Sequence, residues 1–462
     1  MSEQPQQIPA KRRRWPRRIL VVILVLAALY AAYRYTLHRM VEAKLDEIRK
    51  QGYPVTLTEL DKWYPQPPPG ENAADVYENA FSRYAKWDYE KLRVLPVVGD
   101  VRRPKRGEPL PSQLRETAAT YLAESEPALR LLHAGVARKR CRYPVSFSEG
   151  VETPLPHLNE VRQGARLLSL EATLHAAGGE AQSAASSISA AVALARSLTD
   201  EPGLVDQLVR VAVLRIDASC LEDILNRTAF ADAQLRELDA ALGESETTNG
   251  LARALGSEIV IHVDLFHRPV KRQLTSMLPP PPPDGFMNSV GFLIPAWYRR
   301  PQFYFLKASG LMEIDLLHHL RIMEGYLHAA QLPLPERLAA AKFVDSETRK
   351  LPKFCVMSNW LCGYGSGSMS AFVAKDLAAI ASLRCCRTSF ALERHRLASG
   401  NPPDRFDELV PTYLAAVPTD PFDGQLLRYK KLENGYVVYS VAEDGKDDGG
   451  DEKKDITFTV ER

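Results

Sequence analysis

Fifteen consecutive residues without a charge, Ile19 to Tyr33 (ILVVILVLAALYAAY), follow a block at residues 11–18 that holds six cations and no acid. Apolar side chains at this density gain by leaving water, and a helix lets one segment satisfy its own backbone in hydrocarbon. Extended through Tyr35 and Leu37, with Arg34 bending its guanidinium toward the headgroups, the run approaches the roughly 20 residues a spanning helix needs. Tyr30, Tyr33 and Tyr35 stand at its far end, where aromatic rings favour the interface. Lys11, Arg12, Arg13, Arg14, Arg17 and Arg18 are costly to translocate. The sequence therefore predicts a basic cytoplasmic tail over 1–18, a transmembrane helix over 19–38, and the rest of the chain outside the cytoplasmic membrane. A cleaved signal peptide shares the charged start and the apolar run. Here the run leads into YRYTLHRMVEAKLDEIRKQG, an amphipathic helix without a small-x-small cleavage pattern, which favours an uncleaved anchor.

At 462 residues the chain can bury a large core, enough for two or three domains. A net charge of +2 leaves no global field that would recruit nucleic acid. Local patches carry more, because residues 443–455 hold seven acids against three lysines. Six cysteines are too few for a disulfide scaffold. Cys355 and Cys362 are the pair spaced to bridge in an oxidising compartment. Cys385 and Cys386 are neighbours on a helical pattern and point apart. Buried free thiols are the expected state, and the absence of a CxxC or Cys/His set argues against zinc.

Between the anchor and residue 370 the pattern is helical. Residues 39–51 read as a stalk, and DKWYPQPPPG (61–70) reads as a break. Further helices are expected over ENAADVYENAFSRYAKW and over 113–138, with a loop at 96–112 between them. Residues 158–226 give three helices, the first ending at Gly178-Gly179 and the second near Pro202. The first two resemble a tetratricopeptide-type hairpin in length and Ala/Gly pattern, without a second copy at that period. Two more helices fall in 232–267, an exposed proline run at 279–283, and one helix over 302–331. His318, His319 and His328 lie on the last, beside Glu313, Asp315 and Glu324. No two of them are three or four residues apart, so they are expected at the surface or the core edge rather than on a metal. The chain has no GxSxG, no phosphate loop, no GxGxxG after a strand and no HExxH. GYGSGSMS (363–370) reads as a hinge.

After residue 370 the pattern changes to one long helix ending at Gly400, a short turn in PPDRFDELVP, and three strand candidates at 425–430, 436–441 and 456–461. The fold class expected is therefore mainly α: a transmembrane helix, an extracytoplasmic helical bundle over 39–370, and a small α+β unit over 371–462 with a three-stranded antiparallel sheet. Within this unit, ALERHRLASGNPPDRFDELVP, VPTDPFDGQLLRY and YVVYSVAEDGKDDGGDEKKDI follow the element order of one known family. Residues 374–459 resemble the soluble part of type II secretion major pseudopilins. The N-terminus departs from that family, because KRRRWPRRILVV offers neither the leader glycine nor the glutamate that follows cleavage. Packing as an ordinary pilus subunit is therefore not expected. The whole arrangement is similar to bacterial membrane-anchored proteins that couple a helical middle to a pseudopilin-like end.

The resemblance implies calcium in the loop before the last strand, with Asp444, Asp448 and Asp455 as the residues that would hold it. Asp444 and Asp455 match the family's aspartates most directly. A crowd of hard oxygen donors suits calcium and repels itself without it. The other reading is a solvated acidic turn with Lys446, Lys453 and Lys454 as partners. An EF-hand is rejected, because Lys446 stands at its third position and strands flank the loop. The function expected is a membrane-anchored, non-enzymatic envelope protein acting through protein contacts, and the resemblance implies secretion or pilus components as partners. An enzyme with its site in the helical domain is the alternative, and a deep pocket with two or more acids lacking a cationic partner would mark it. A purely structural envelope protein stiffened by calcium is the third.

Overall fold

Nothing in residues 15–50 interrupts a helix: glycine is absent, and Pro16 falls in the first turn, where its missing N–H goes unneeded. In the computed structural model, which describes residues 15–101, 103–276, 296–363 and 368–462, this stretch forms one 36-residue helix, α1 (Trp15–Lys50). Residues 1–14 of the basic tail, the proline run 279–283 and residues 364–367 of the expected hinge lie outside the described residues. The apolar half of α1 packs on nothing, and among the described residues α1 alone is long and apolar enough to cross a membrane. From Leu37 onward each turn sends a residue inward, and Leu37, Val41, Leu45 and Ile48 are buried. The expected stalk is therefore one wall of a core.

Short helices follow: α2 (Leu57–Trp63), α3 (Ala74–Phe81), α4 (Tyr89–Leu92), α5 (Ser112–Glu124) and α6 (Glu126–Gly135). The single helix expected over 113–138 breaks at Ser125, because Pro127 occupies the first turn of α6. The three helices of 158–226 are α7 (His157–Ala177), α8 (Ala181–Arg196) and α9 (Leu204–Leu225). Then come α10 (Asp232–Ser245), α11 (Gly250–His267), α12 (Val270–Ser276) and α13 (Ala296–Ser309). After them stand α14 (Leu311–Gln331), α15 (Leu334–Thr348), α16 (Val356–Gly363) and the long α17 (Met369–Ser399). The helix expected over 302–331 is thus two, separated by Gly310 in the left-handed region. A Cβ there would meet Leu37 Cδ1 at 2.7 Å, so the break is where α1 passes. Neither α15 nor α16 is evident from periodicity.

Two large apolar clusters result. One gathers α3 and α5 through α10 with the second half of α17 and the sheet. The other gathers the outer half of α1 with α11 through α16 and the first half of α17. Hence α17 is shared: Phe372, Val373 and Leu377 belong to one cluster, Leu383, Phe390 and Leu392 to the other. Gly400 ends this helix in the left-handed conformation. The sheet is β1 (Arg428–Leu432), β2 (Gly435–Ser440) and β3 (Ile456–Glu461), antiparallel in the order β1-β2-β3. Val438 faces Phe458 and Tyr436 faces Val460 across β2 and β3, and all four side chains are buried. Residues 371–462 do not hang free. Asn226 of α9 donates to Thr459 O at 2.8 Å and accepts from Glu461 N at 2.7 Å, which also occupies the outer edge of β3. All six cysteines are free thiols, Cys355 and Cys362 among them.

Close approach of α7 and α8 rests on small residues. A Cβ on Gly164 would lie 2.5 Å from Tyr84 Oη and 2.8 Å from Leu194 Cδ2, against a neighbour helix built largely of alanine. Gly164→Leu should therefore overpack the crossing and cost about 1–3 kcal/mol. Thermal unfolding of the detergent-purified chain should show a midpoint lower by a few degrees, and an unchanged midpoint would reject this account of the crossing.

Candidate functional site

The turn Glu201-Pro202-Gly203 joins α8 to α9. α8 ends at Arg196, Pro202 bars helix across the turn that follows, and Gly203 precedes the first residue of α9. Asp206 Oδ2 accepts from Gly203 N–H at 2.8 Å, and a Cβ at residue 203 would stand 2.5 Å from that oxygen, so a larger residue would have to push the carboxylate aside. A carboxylate here also meets the positive end of the α9 dipole. Tyr64 donates its hydroxyl to Glu201 Oε1 and accepts from Tyr143 N–H at 3.0 Å. His157, the first residue of α7, stacks on the Tyr143 ring with centroids 4.4 Å apart and brings Nε2 to 3.8 Å from Glu201 Oε1.

These groups lie deep, with Glu201 and Asp206 at 0% exposure and His157 at 5%. One donor atom each from His157, Glu201 and Asp206 falls within 4.8 Å of the others, the only such group of three among the described residues. His157 Nε2, Glu201 Oε2 and Asp206 Oδ1 are buried without a hydrogen-bond partner among the described residues. Burial raises both carboxyls above their ordinary range, and for Glu201 the neighbouring charge of Asp206 adds to it. Burial also lowers His157 to about 4.

A second set continues from the first. Glu258 of α11 accepts from Leu204 N–H at 3.3 Å and lies 3.3 Å from His262 Nε2. His262 Nδ1 and His319 Nε2 are 2.9 Å apart and share one hydrogen bond. Burial raises Glu258 to about 7, lowers His262 to about 4, and holds His319 well below the usual histidine range. One turn before His319, Asp315 caps the start of α16 by accepting from Met357 N–H at 2.9 Å and from Ser358 N–H at 3.3 Å.

The expectations for single residues fare unevenly. His318 is half-buried and His328 is exposed, in keeping with a surface or core-edge place. His319 is fully buried, which corrects that expectation: its partner comes from another helix, so spacing along α14 does not reveal it. Asp444, Asp448 and Asp455 share the β2–β3 loop, and among the described residues they do not bring three donor atoms within 4.8 Å of one another. Asp444 accepts from Lys446 N–H at 3.1 Å, Asp448 pairs with Lys454 Nζ at 2.7 Å, and Asp455 accepts from Gly450 N–H at 2.8 Å. The loop thus uses the lysines and its own amides. Sequence reasoning missed His157, Glu201 and Asp206. The signal available was EPGLVD, an acid, a helix stop and a G-x-x-D start, which reads as capping rather than chemistry.

No family model, curated protein or solved structure matches this chain. The site's meaning therefore rests on its chemistry.

The buried histidine pair should make stability depend on pH. Unfolded histidine takes up its proton near 6.5, whereas folded His262 resists protonation down to about 4. Its contribution is intact above 6.5 and is lost as pH falls toward 4, by up to about 3 kcal/mol. Relative to His262→Gln, the native chain should lose thermal midpoint steadily between pH 6.5 and 4.5. Parallel curves for the two proteins would reject a neutral buried pair.

Proposed function

We propose that the chain is a single-pass protein of the bacterial inner membrane, its N-terminus in the cytoplasm and residues 39–462 outside, acting by binding other proteins rather than by catalysis. The continuity of α1 carries this reading. Its apolar half lies bare, its outer half is core, and the join is tied down: Arg34 pairs with Glu313 and donates to Lys307 O, and Tyr30 donates to Ala308 O. A removable signal segment would gain nothing from such ties at its exit.

Two further observations support it. On α13, beside this exit, Tyr304 and Phe305 are adjacent and 59% and 63% exposed. Such a pair is awkward in water and favoured at the headgroup level of a bilayer. An open groove of about 400 Å³ between α5, α6 and α7 has an apolar floor of Leu122, Leu129 and Leu174 with Glu171 and His133 at its side. That composition suits an apolar anchor of a protein ligand.

The buried acids meet one half of the mark for an enzyme, since neither Glu201 nor Asp206 pairs with lysine or arginine among the described residues. They miss the other half, because groups at 0% exposure give a substrate no access. Secretion or pilus components as partners rest on the resemblance of 374–459 alone. The packing of α17 and the sheet against α9 and α10 argues that this unit stabilises the fold, leaving the groove as the binding face. Calcium at Asp444, Asp448 and Asp455 rests on the resemblance alone: each has a protein partner on one oxygen, while Asp455 Oδ1 is buried without one among the described residues.

Protease added to intact spheroplasts should degrade a C-terminally tagged chain, and full protection until lysis would overturn the orientation. The aromatic pair gives a finer test. In the chain reconstituted into vesicles, Phe305→Cys should react with a water-soluble maleimide several-fold more slowly than Phe343→Cys. Phe343 is the right comparison, being 66% exposed on α15 next to Val344, which packs on Gly325 well along α14 from the membrane end. Equal rates would remove the membrane contact of α13.

A further inference from the structure

We infer that His157, Glu201 and Asp206 hold one divalent transition-metal ion, of the zinc, manganese or iron(II) class, as a structural clamp on the helical bundle. The arrangement is more than a cluster of acids. Three donor atoms from three places in the chain (the start of α7, the α8–α9 turn and the start of α9) converge within 4.8 Å in the interior. A buried polar atom without a partner costs about 1–3 kcal/mol, and native interiors hold few of them. Here His157 Nε2, Glu201 Oε2 and Asp206 Oδ1 are all left so in one place. A cation between them would satisfy all three and cancel the repulsion of two carboxylates that pair with no lysine or arginine among the described residues.

The donor set selects the ion. One imidazole and two carboxylates suit borderline divalent metals, which bind nitrogen and oxygen at about 2.0–2.2 Å. Calcium asks for six to eight oxygens and takes imidazole poorly. Neighbouring contacts already orient the ligands, as outer contacts do in metal sites. The Tyr143 ring stacks on His157, the Tyr64 hydroxyl holds one oxygen of Glu201, and the Gly203 amide holds the other oxygen of Asp206. On binding, the ion would coordinate the two carboxylates and the imidazole nitrogen, and any proton a carboxyl held would leave to solvent. Three protein ligands leave one position that a water or the second Glu201 oxygen would fill, and burial of all three keeps substrate from it, which suits a structural role.

The test uses the full chain in detergent, stripped with chelator and then titrated separately with zinc, manganese and calcium. We expect one zinc or manganese ion per chain by elemental analysis, a thermal midpoint higher by several degrees when loaded, and no such response to calcium. His157→Gln and Asp206→Asn should each lose at least tenfold in affinity while keeping the helical circular-dichroism spectrum. Asp444→Asn should bind as the native chain does, which separates this site from the β2–β3 loop. Absence of stoichiometric uptake by the native chain, or uptake undiminished in both His157→Gln and Asp206→Asn, would overturn the proposal. So would a preference for calcium. Should Asp206→Asn fail to fold through loss of its cap on α9, His157→Gln alone decides.

Discussion

Leu37, Val41, Leu45 and Ile48 form a stripe along one face of α1, and their contact with α14 and its neighbours makes the outer half of a helix long and apolar enough to cross a membrane part of a folded core. Burial of each aliphatic side chain is worth about 1.5–3 kcal/mol, so the stripe is a substantial share of a domain's net stability. The register is reinforced by charge. Arg34 meets Glu313, and ten residues further on Lys44 meets Glu324 at 2.7 Å. The two helices therefore run in the same direction, side by side from the point where the apolar run ends. A rigid coupling of this kind would fix how the groove between α5, α6 and α7 sits above a bilayer, which a flexible stalk would not.

The second constraint is the sharing of α17 between both large clusters. A helix of 31 residues that feeds Phe372 and Leu377 to one core and Phe390 and Leu392 to the other makes the two unfold together more readily than separately. Its charged side chains are matched accordingly. Glu393 is almost wholly buried and meets Arg396 at 2.6 Å, Arg462 at the chain end, and the Tyr436 hydroxyl at 3.0 Å. Asp420, fully buried below β2, meets Arg428 at 2.8 Å and accepts from Val441 N–H at 2.9 Å. In the C-terminal unit, then, each of these buried acids has its cation.

Much of this was legible in the sequence, for reasons that differ by element. The apolar run of α1 is read from composition alone. The ends of α7 and α17 are written in Gly179 and Gly400, both left-handed, whose effect on the backbone is local, whereas α8 stops at Arg196, six residues before Pro202. The three strands announce themselves by alternation and by the turn between the first two, although β1 begins at Arg428, three residues later than the run at 425 suggests. What escaped depends on partners distant in the chain. Gly310 breaks α13 from α14 because Leu37 passes there, and nothing near residue 310 says so. His262 and His319 meet across two helices and are invisible to a search by spacing. The convergence of His157 with Glu201 and Asp206 is likewise a product of the α7–α8–α9 packing, since each residue alone reads as an ordinary helix end.

The contrast between the two sets of buried acids is informative in itself. An interior carboxylate must be paired, capped or neutral, because leaving it charged and alone costs several kcal/mol. Glu393 and Asp420 are paired, and Asp315 is capped by the amides of α16. Among the described residues Asp217 has neither kind of partner on either oxygen, and burial pushes its carboxyl well above the usual range. Glu201 and Asp206 differ from all of these, because they face each other and a histidine rather than an apolar wall. A proton shared between them relieves one charge and leaves the histidine nitrogen unused, whereas a divalent ion employs all three groups together. The geometry of the turn after α8, fixed by a proline, a glycine and the tyrosine stack, is better matched to the second arrangement than to the first.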